Sequence, residues 1–133
     1  MMNEQLKHQR VLILGAGGLL GAKLVKQALT QCAEVIAADI NIELMKERLV
    51  SQQIELANTQ LTLLHLDVTD EQSVKAFFAE QHRLTGAVNS TYPRNKTYGK
   101  HFFDVSLDSF NENLALHLGS AFLFTQQCAA YFK

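Results

Sequence analysis

The segment Leu14-Gly15-Ala16-Gly17-Gly18-Leu19-Leu20-Gly21 joins two stretches of different character. Before it, Arg10 to Leu14 is a short apolar run that stops at glycine, the pattern of a strand buried on both faces in a parallel sheet. After it, Gly18 to Gln31 sets Leu20, Leu24, Val25, Ala28 and Leu29 at helical spacing with Lys23, Lys26 and Gln27 between them. In that setting Gly15 allows a tight turn, Gly17 or Gly18 lets the backbone come close to a pyrophosphate, and Gly21 lets the helix pack on the strand. The helix start adds free N–H groups and the positive end of its dipole, with Leu20 beside them. Glycines at this spacing also serve packing alone, so the surrounding elements carry the argument.

The same alternation repeats along the chain. Glu34 to Asp39 reads as a second strand, and Ile42 to Gln53 as a helix in which Glu43 and Glu47 alternate with Leu44, Leu49 and Val50. Leu61 to Leu66 is a third strand ending at Asp67; Thr69 or Asp70 then caps a helix over Glu71 to Gln81 that buries Val74, Phe77 and Phe78. Gly86 to Ser90 is a fourth strand. Tyr92 to Asp104 holds the sole proline, Pro93, and reads as a long loop. Ser106 or Asp108 caps a last helix from about Leu107 to the end. Its main stripe is Phe110, Leu114, Leu118, Ala121, Thr125, Cys128 and Phe132, with Leu116, Leu123 and Ala130 on another face, so it is expected to pack on two sides. Alternating strands and helices predict an α/β fold, a Rossmann-like doubly wound parallel sheet of about four strands, forming one domain over residues 1–133.

Composition narrows the classes of function. The 133 residues are 47% hydrophobic, and 12 Lys and Arg against 13 Asp and Glu give a net charge of −1. A chain of this size buries roughly two-thirds of its unfolded surface, enough for a core without disulfides or metal. Neither sign of charge dominates and no block of like charges occurs, so neither nucleic acid nor a membrane surface is an expected partner. Met1 to Arg10 is polar and the apolar run after it is four residues long, unlike an export signal, so a cytoplasmic location is expected. Cys32 and Cys128 each fall in an expected helix without C-x-x-C spacing and are read as buried, reduced thiols; no metal site is assigned.

Asp39 stands 18 residues after Gly21, at the end of the second strand. A carboxylate there accepts both hydroxyls of an adenine ribose and repels a 2′-phosphate, which favours NAD over NADP; the plainer role is that of a turn residue. Asp67 is read either as a contact near the adenine or as a helix cap. A methyltransferase also uses a glycine turn and a second-strand acid, but Leu14 occupies the place where that class commonly has an acid.

Taken together, Gly15 to Gly21, Asp39, Leu66-Asp67-Val68-Thr69-Asp70, Val88-Asn89-Ser90 and the helix Asn113 to Gln126 resemble the N-terminal half of a short-chain dehydrogenase/reductase. The resemblance covers Arg10 to Lys133. It implies that Gly15, Gly17, Gly18 and Gly21 lie in the cofactor turn, Asp39 on the adenosine ribose, and Asp67 with Val68 beside the adenine, while Asn89 and Ser90 match the start of the family's Asn-Asn-Ala-Gly segment. Thr91 and Tyr92 replace its Ala-Gly pair. His117 stands where the family places a catalytic asparagine, and a ring nitrogen there could hold a relay water; the plainer reading is a histidine on a packed helix face. Tyr92-Pro93-Arg94-Asn95-Lys96-Thr97-Tyr98-Gly99-Lys100 and Phe110 to Gly119 resemble the family's flagellin modification A subgroup, associated with surface sugars of the legionaminic acid kind.

The catalytic Ser and Tyr-x-x-x-Lys pair belong to the family's later half. Tyr131 and Lys133, two apart, do not form that pair. The expectation is therefore the cofactor half of an NAD-dependent oxidoreductase acting on a small molecule such as a sugar or nucleotide sugar, with an NAD-binding or interaction module without turnover as the alternative. Arg94, Lys96, Lys100 and His101 are candidates for a substrate phosphate or simply charges of a solvated loop. The resemblance also implies a homo-oligomer through the last helix, and a chain less stable alone than its apolar share suggests.

Overall fold

The computed structural model describes residues 3–133. Four parallel strands, β1 (Arg10–Leu14), β2 (Glu34–Asp39), β3 (Leu61–His65) and β4 (Gly86–Asn89), form a sheet in the order β3-β2-β1-β4. Leu14 pairs with both Ala38 and Asn89, and Asp39 with His65, so the carboxyl ends of all four strands open onto one rim.

The apolar runs are divided by strand pleating. Leu12, Leu14, Ile36 and Ala38 face one side; Ile13, Val35 and Ala37 face the other. Helices α1 (Leu19–Thr30) and α2 (Ile42–Ser51) cover the second side with Ala22, Val25, Ala28, Met45 and Leu49. Helix α3 (Glu71–Glu80) and the C-terminal helix α5 (Ser120–Phe132) cover the first with Val74, Phe77, Phe78 and Phe124. Covering both faces is what lets the strands be apolar throughout. The strand order reverses between β1 and β4, whose following segments leave in different directions, and this opens a crevice at the rim.

Most boundaries agree with the periodicity within a residue or two. Asp70 caps α3 by accepting from Gln72 N at 3.0 Å, and Ser106 caps α4 (Leu107–Leu114) by accepting from Ser109 N at 3.1 Å. Three expectations need correction. Cys32 lies beyond α1 in a left-handed turn at φ 67°, and both cysteines are half-buried rather than buried; burial nevertheless pushes the Cys128 thiol above its ordinary range. On α1 and α2 the buried positions include Gly21, Ala22 and Met45, while Leu20, Leu44 and Val50 are exposed.

The third correction concerns the last helix, which is not one continuous α-helix. A π-helical segment, Ala115–Gly119, separates α4 from α5. Its wider turn shifts the phase of the pattern. Ser120 and Phe124 are buried, with Cys128 and Tyr131 packed alongside; the expected stripe at Phe110, Leu114, Leu118 and Phe132 is exposed.

Two features of the backbone have measurable consequences. A Cβ on Gly21 would lie 2.0 Å from the Gly15 carbonyl oxygen, so α1 rests on the turn with no room for a side chain. Gly21→Ala is expected to cost at least about 2 kcal/mol in urea unfolding. Helix α2 ends with Ile54 N donating to Leu49 O and Gln53 N to Val50 O, a closure that puts Gln53 at φ 63°. Gln53→Gly relieves that conformation and is expected to raise stability by about 0.5–1 kcal/mol in the same assay.

Candidate functional site

The turn after β1 is built by backbone bonds to its neighbours. Gly15 sits at φ 82°, a left-handed conformation, and its N–H and that of Ala16 both donate to the Ala38 carbonyl at the end of β2. Gly18 then starts α1 without a side-chain cap, and no acidic residue occupies the first helical turn. The N–H groups of Leu19, Leu20 and Gly21 have no acceptor among the described residues. Leu19 and Leu20 are 73% and 63% exposed, so the mouth of the turn is open. Three unsatisfied donors at the positive end of a helix dipole form a suitable cradle for a phosphate group.

Asp39 reaches this turn directly. Its Oδ2 accepts from Gly17 N at 2.9 Å and its Oδ1 from Asn41 N at 3.1 Å. The carboxylate is therefore a structural tie between β2 and the turn, and each oxygen retains further acceptor capacity. It is half-buried and has no basic partner among the described residues. The Asp39 carbonyl accepts from Leu66 N at 3.1 Å, which sets Asp67 next along the rim.

Asp67 does not cap α3. Its Oδ1 accepts from Thr69 N at 2.9 Å and Thr69 Oγ1 at 2.6 Å, closing a local turn, while Asp70 makes the cap. The Val68 side chain is buried in the layer with Leu66 and Val74, and its N–H has no acceptor among the described residues. Asn89 Oδ1 accepts from Thr91 N at 3.0 Å and Thr91 Oγ1 at 2.6 Å, so the threonine at the position of the family's alanine holds the end of β4 in a turn.

Ser90 has a role that sequence reasoning missed. Its N–H and its Oγ both donate to the Leu14 carbonyl, at 2.9 and 2.7 Å, and a Cβ on Gly15 would meet the Ser90 carbonyl carbon at 2.9 Å. Ser90 thereby clamps β4 to the glycine turn. Gly15, Gly17, Gly18, Leu20, Gly21, Asp39, Asp67, Val68 and Asn89 thus all lie along the carboxyl rim of the sheet.

His117 is exposed in the π-helical segment, with its ring centroid 4.0 Å from that of Tyr92. A Tyr-x-x-x-Lys spacing does occur at Tyr92 and Lys96, but in an irregular loop, where residues four apart are not stacked one turn above another. The hydrogen bond with Tyr98 moves the Tyr92 phenol above its ordinary value of 10.0, opposite to what a tyrosinate base requires.

Comparison with known proteins gives one sequence family and one fold. The family described as enoyl-(acyl carrier protein) reductase matches residues 15–133. Over 136 aligned positions the chain is 32% identical to the post-translational flagellin modification protein A of Campylobacter coli, taking in 96% of this chain and 52% of that protein. Among solved structures it is similar to a short chain dehydrogenase from Mycobacterium smegmatis (21% identity, TM-score 0.76, 97% of this chain and 54% of that one). One from Bacillus anthracis matches at 18% identity and TM-score 0.78, over 96% of this chain and 51% of that one. At these identities the structural likeness shows the fold. The chain spans about half the length of the curated relatives it matches. The match begins at Gly15, the first glycine of the turn, and runs through the rim to the final helix: the chain belongs to the short-chain dehydrogenase/reductase family.

Proposed function

We propose that this chain is the NAD-binding part of a short-chain oxidoreductase, organised as one cofactor domain over residues 1–133. Family membership implies a nicotinamide cofactor; the choice of NAD over NADP rests on Asp39, whose carboxylate is bonded to Gly17 N at 2.9 Å. Held there without a basic partner, it accepts hydrogen bonds from two ribose hydroxyls and repels a 2′-phosphate. The rest of the rim fits the same occupant. The free N–H groups of Leu19, Leu20 and Gly21 bind the pyrophosphate, with Gly15, Gly17 and Gly18 shaping the turn beneath it. Asp67 and the Val68 N–H take the adenine side, and Asn89 positions the backbone that continues toward the reacting end. A nicotinamide cofactor bound there supplies the hydride chemistry that side chains lack.

In this reading the parent activity moves hydride between the cofactor and a hydroxyl or keto group on a sugar or nucleotide sugar of surface glycan biosynthesis, which suits the flagellin-modification relative. His117 takes the place of the family's asparagine, its ring without a hydrogen-bond partner among the described residues and so free to hold a water. A location in the cytoplasm goes with such a substrate. No helix among the described residues is long and apolar enough to cross a membrane. The second reading is an NAD-binding or interaction module without turnover. Homo-oligomerisation through the last helical stretch completes the proposal, since Leu118 in its π-helical segment and Phe122 in α5 are each 66% exposed.

Calorimetry separates these readings. NAD is expected to bind and NADP to bind at least about tenfold more weakly, a difference that Asp39→Ala removes while circular dichroism stays unchanged; absence of heat with either cofactor would refute the cofactor assignment. Formation of reduced nicotinamide by a full-length version, followed by absorbance with NAD and hydroxylated sugars, distinguishes an enzyme from a module. For the oligomer, sedimentation velocity of Phe122→Asp is expected to show a smaller species than the unchanged chain; equal sizes would rule out this face.

A further inference from the structure

Beside the cofactor rim, the loop after β4 and the start of the final helical segment line a half-open cavity of about 320 Å³, at the lower end of the range for small-molecule sites. Tyr92, Arg94, Tyr98, Phe110, Asn113 and His117 are among its lining residues. Chain continuity places it next to the turn, because Tyr92 follows Ser90, the clamp on Leu14, by two residues.

The walls are fixed by protein–protein bonds. Asn95 and Asn113 bond reciprocally, Asn95 N donating to Asn113 Oδ1 at 2.8 Å and Asn113 Nδ2 to Asn95 Oδ1 at 3.0 Å. Asn95 Nδ2 also donates to Glu112 Oε2 at 2.6 Å, and the Thr97 and Ser109 hydroxyls bond each other. An irregular loop tied to α4 at so many points is organised in advance of any ligand.

Inside, the chemistry has one sign. The Arg94 guanidinium carbon lies 5.4 Å from the Tyr98 ring centroid and 6.0 Å from that of Tyr92, and Arg94 has neither a carboxylate partner nor a hydrogen bond among the described residues. The two tyrosine rings meet edge to face at 5.5 Å with their hydroxyls 2.8 Å apart, and that hydrogen bond moves the Tyr92 phenol above its ordinary range. No Asp or Glu lines the cavity, and the neighbouring Glu112 is held by Asn95. Of the four basic residues in the loop, Lys96, Lys100 and His101 are not among the lining residues; Arg94 alone is. A guanidinium resting on aromatic faces keeps its edge donors for a carboxylate or phosphate, while the aromatic and aliphatic remainder of the wall packs a ring.

We propose that this cavity is a subsite for the anionic group, phosphate or carboxylate, of a small ring-shaped substrate, with Arg94 as the anion-binding residue and the faces of Tyr92 and His117 as its wall. The inference rests on the functional reading above only in calling the occupant the substrate; the cavity and its charge stand independently. Nuclear magnetic resonance titrations of the 133-residue chain with glucose 6-phosphate, glucuronate and uncharged glucose test it. At least one anionic sugar is expected to bind roughly tenfold or more tightly than glucose, shifting resonances of Tyr92, Arg94 and His117. Arg94→Gln is expected to abolish that advantage without altering the rest of the spectrum, and comparison of the two anions identifies phosphate or carboxylate. Equal affinity for glucose, an advantage surviving Arg94→Gln, or shifts confined to Gly15–Gly21 would overturn the proposal. NAD added to the same samples reads out at Gly15–Gly21 and Asp39, so failure of the cofactor reading is seen separately.

Discussion

Helix α1 and the turn beneath it share a space that leaves no room for one extra carbon. A Cβ at Gly21 would stand 2.0 Å from the Gly15 carbonyl oxygen, and one at Gly15 would meet Ser90 at 2.9 Å. Both contacts involve backbone, which cannot swing aside as a side chain can. From this close approach follow the seating of α1 on the sheet, the exposure of its first N–H groups at the rim, and the position of β4 through the Ser90 clamp. The Asp39 carboxylate then has a fixed place, because the Gly17 N–H it accepts from belongs to the same turn.

The two faces of the sheet meet their helices differently. On the α1 and α2 side the layer is rich in alanine, with Ala16, Ala22, Ala28, Ala33 and Ala37 all buried. On the α3 and α5 side it is aromatic: Phe77, Phe78, Phe124 and Tyr131 make a run of tilted and edge-to-face contacts with centroids 5.1 to 5.8 Å apart. Small residues allow α1 to lie close enough for its N-terminus to serve the rim, and bulky rings space α3 and α5 from the strands. Tyr131 also donates to the Gln81 carbonyl and accepts from Leu84 N, fastening the end of α5 to the segment that leads into β4.

Local features were legible in the sequence, and contacts through space were not. Each strand is an apolar run ended by a glycine or a polar residue, and the glycine turn, Asp39 at the end of β2 and the Asp70 and Ser106 caps all follow from patterns within a few residues. The Ser90 clamp joins residues 76 apart, and Arg94, Tyr98 and His117 converge on a cavity only because Asn95 and Asn113 tie the loop to α4. No periodicity signals such pairings. The final helix failed for a different reason: a π-helical turn takes in one extra residue, which rotates everything beyond it by about 100° relative to a uniform α-helix. Phe124, outside the expected stripe, is thereby turned into the core at 4% exposure, and Leu118 is left outside.

The Ser90 clamp also governs how the sheet comes apart. Because Ser90 N and Oγ both donate to the Leu14 carbonyl, β4 cannot part from β1 at its carboxyl end without freeing the glycine turn as well. The turn and the end of β4 therefore open as one cooperative unit, and their amides share a common exchange rate with solvent.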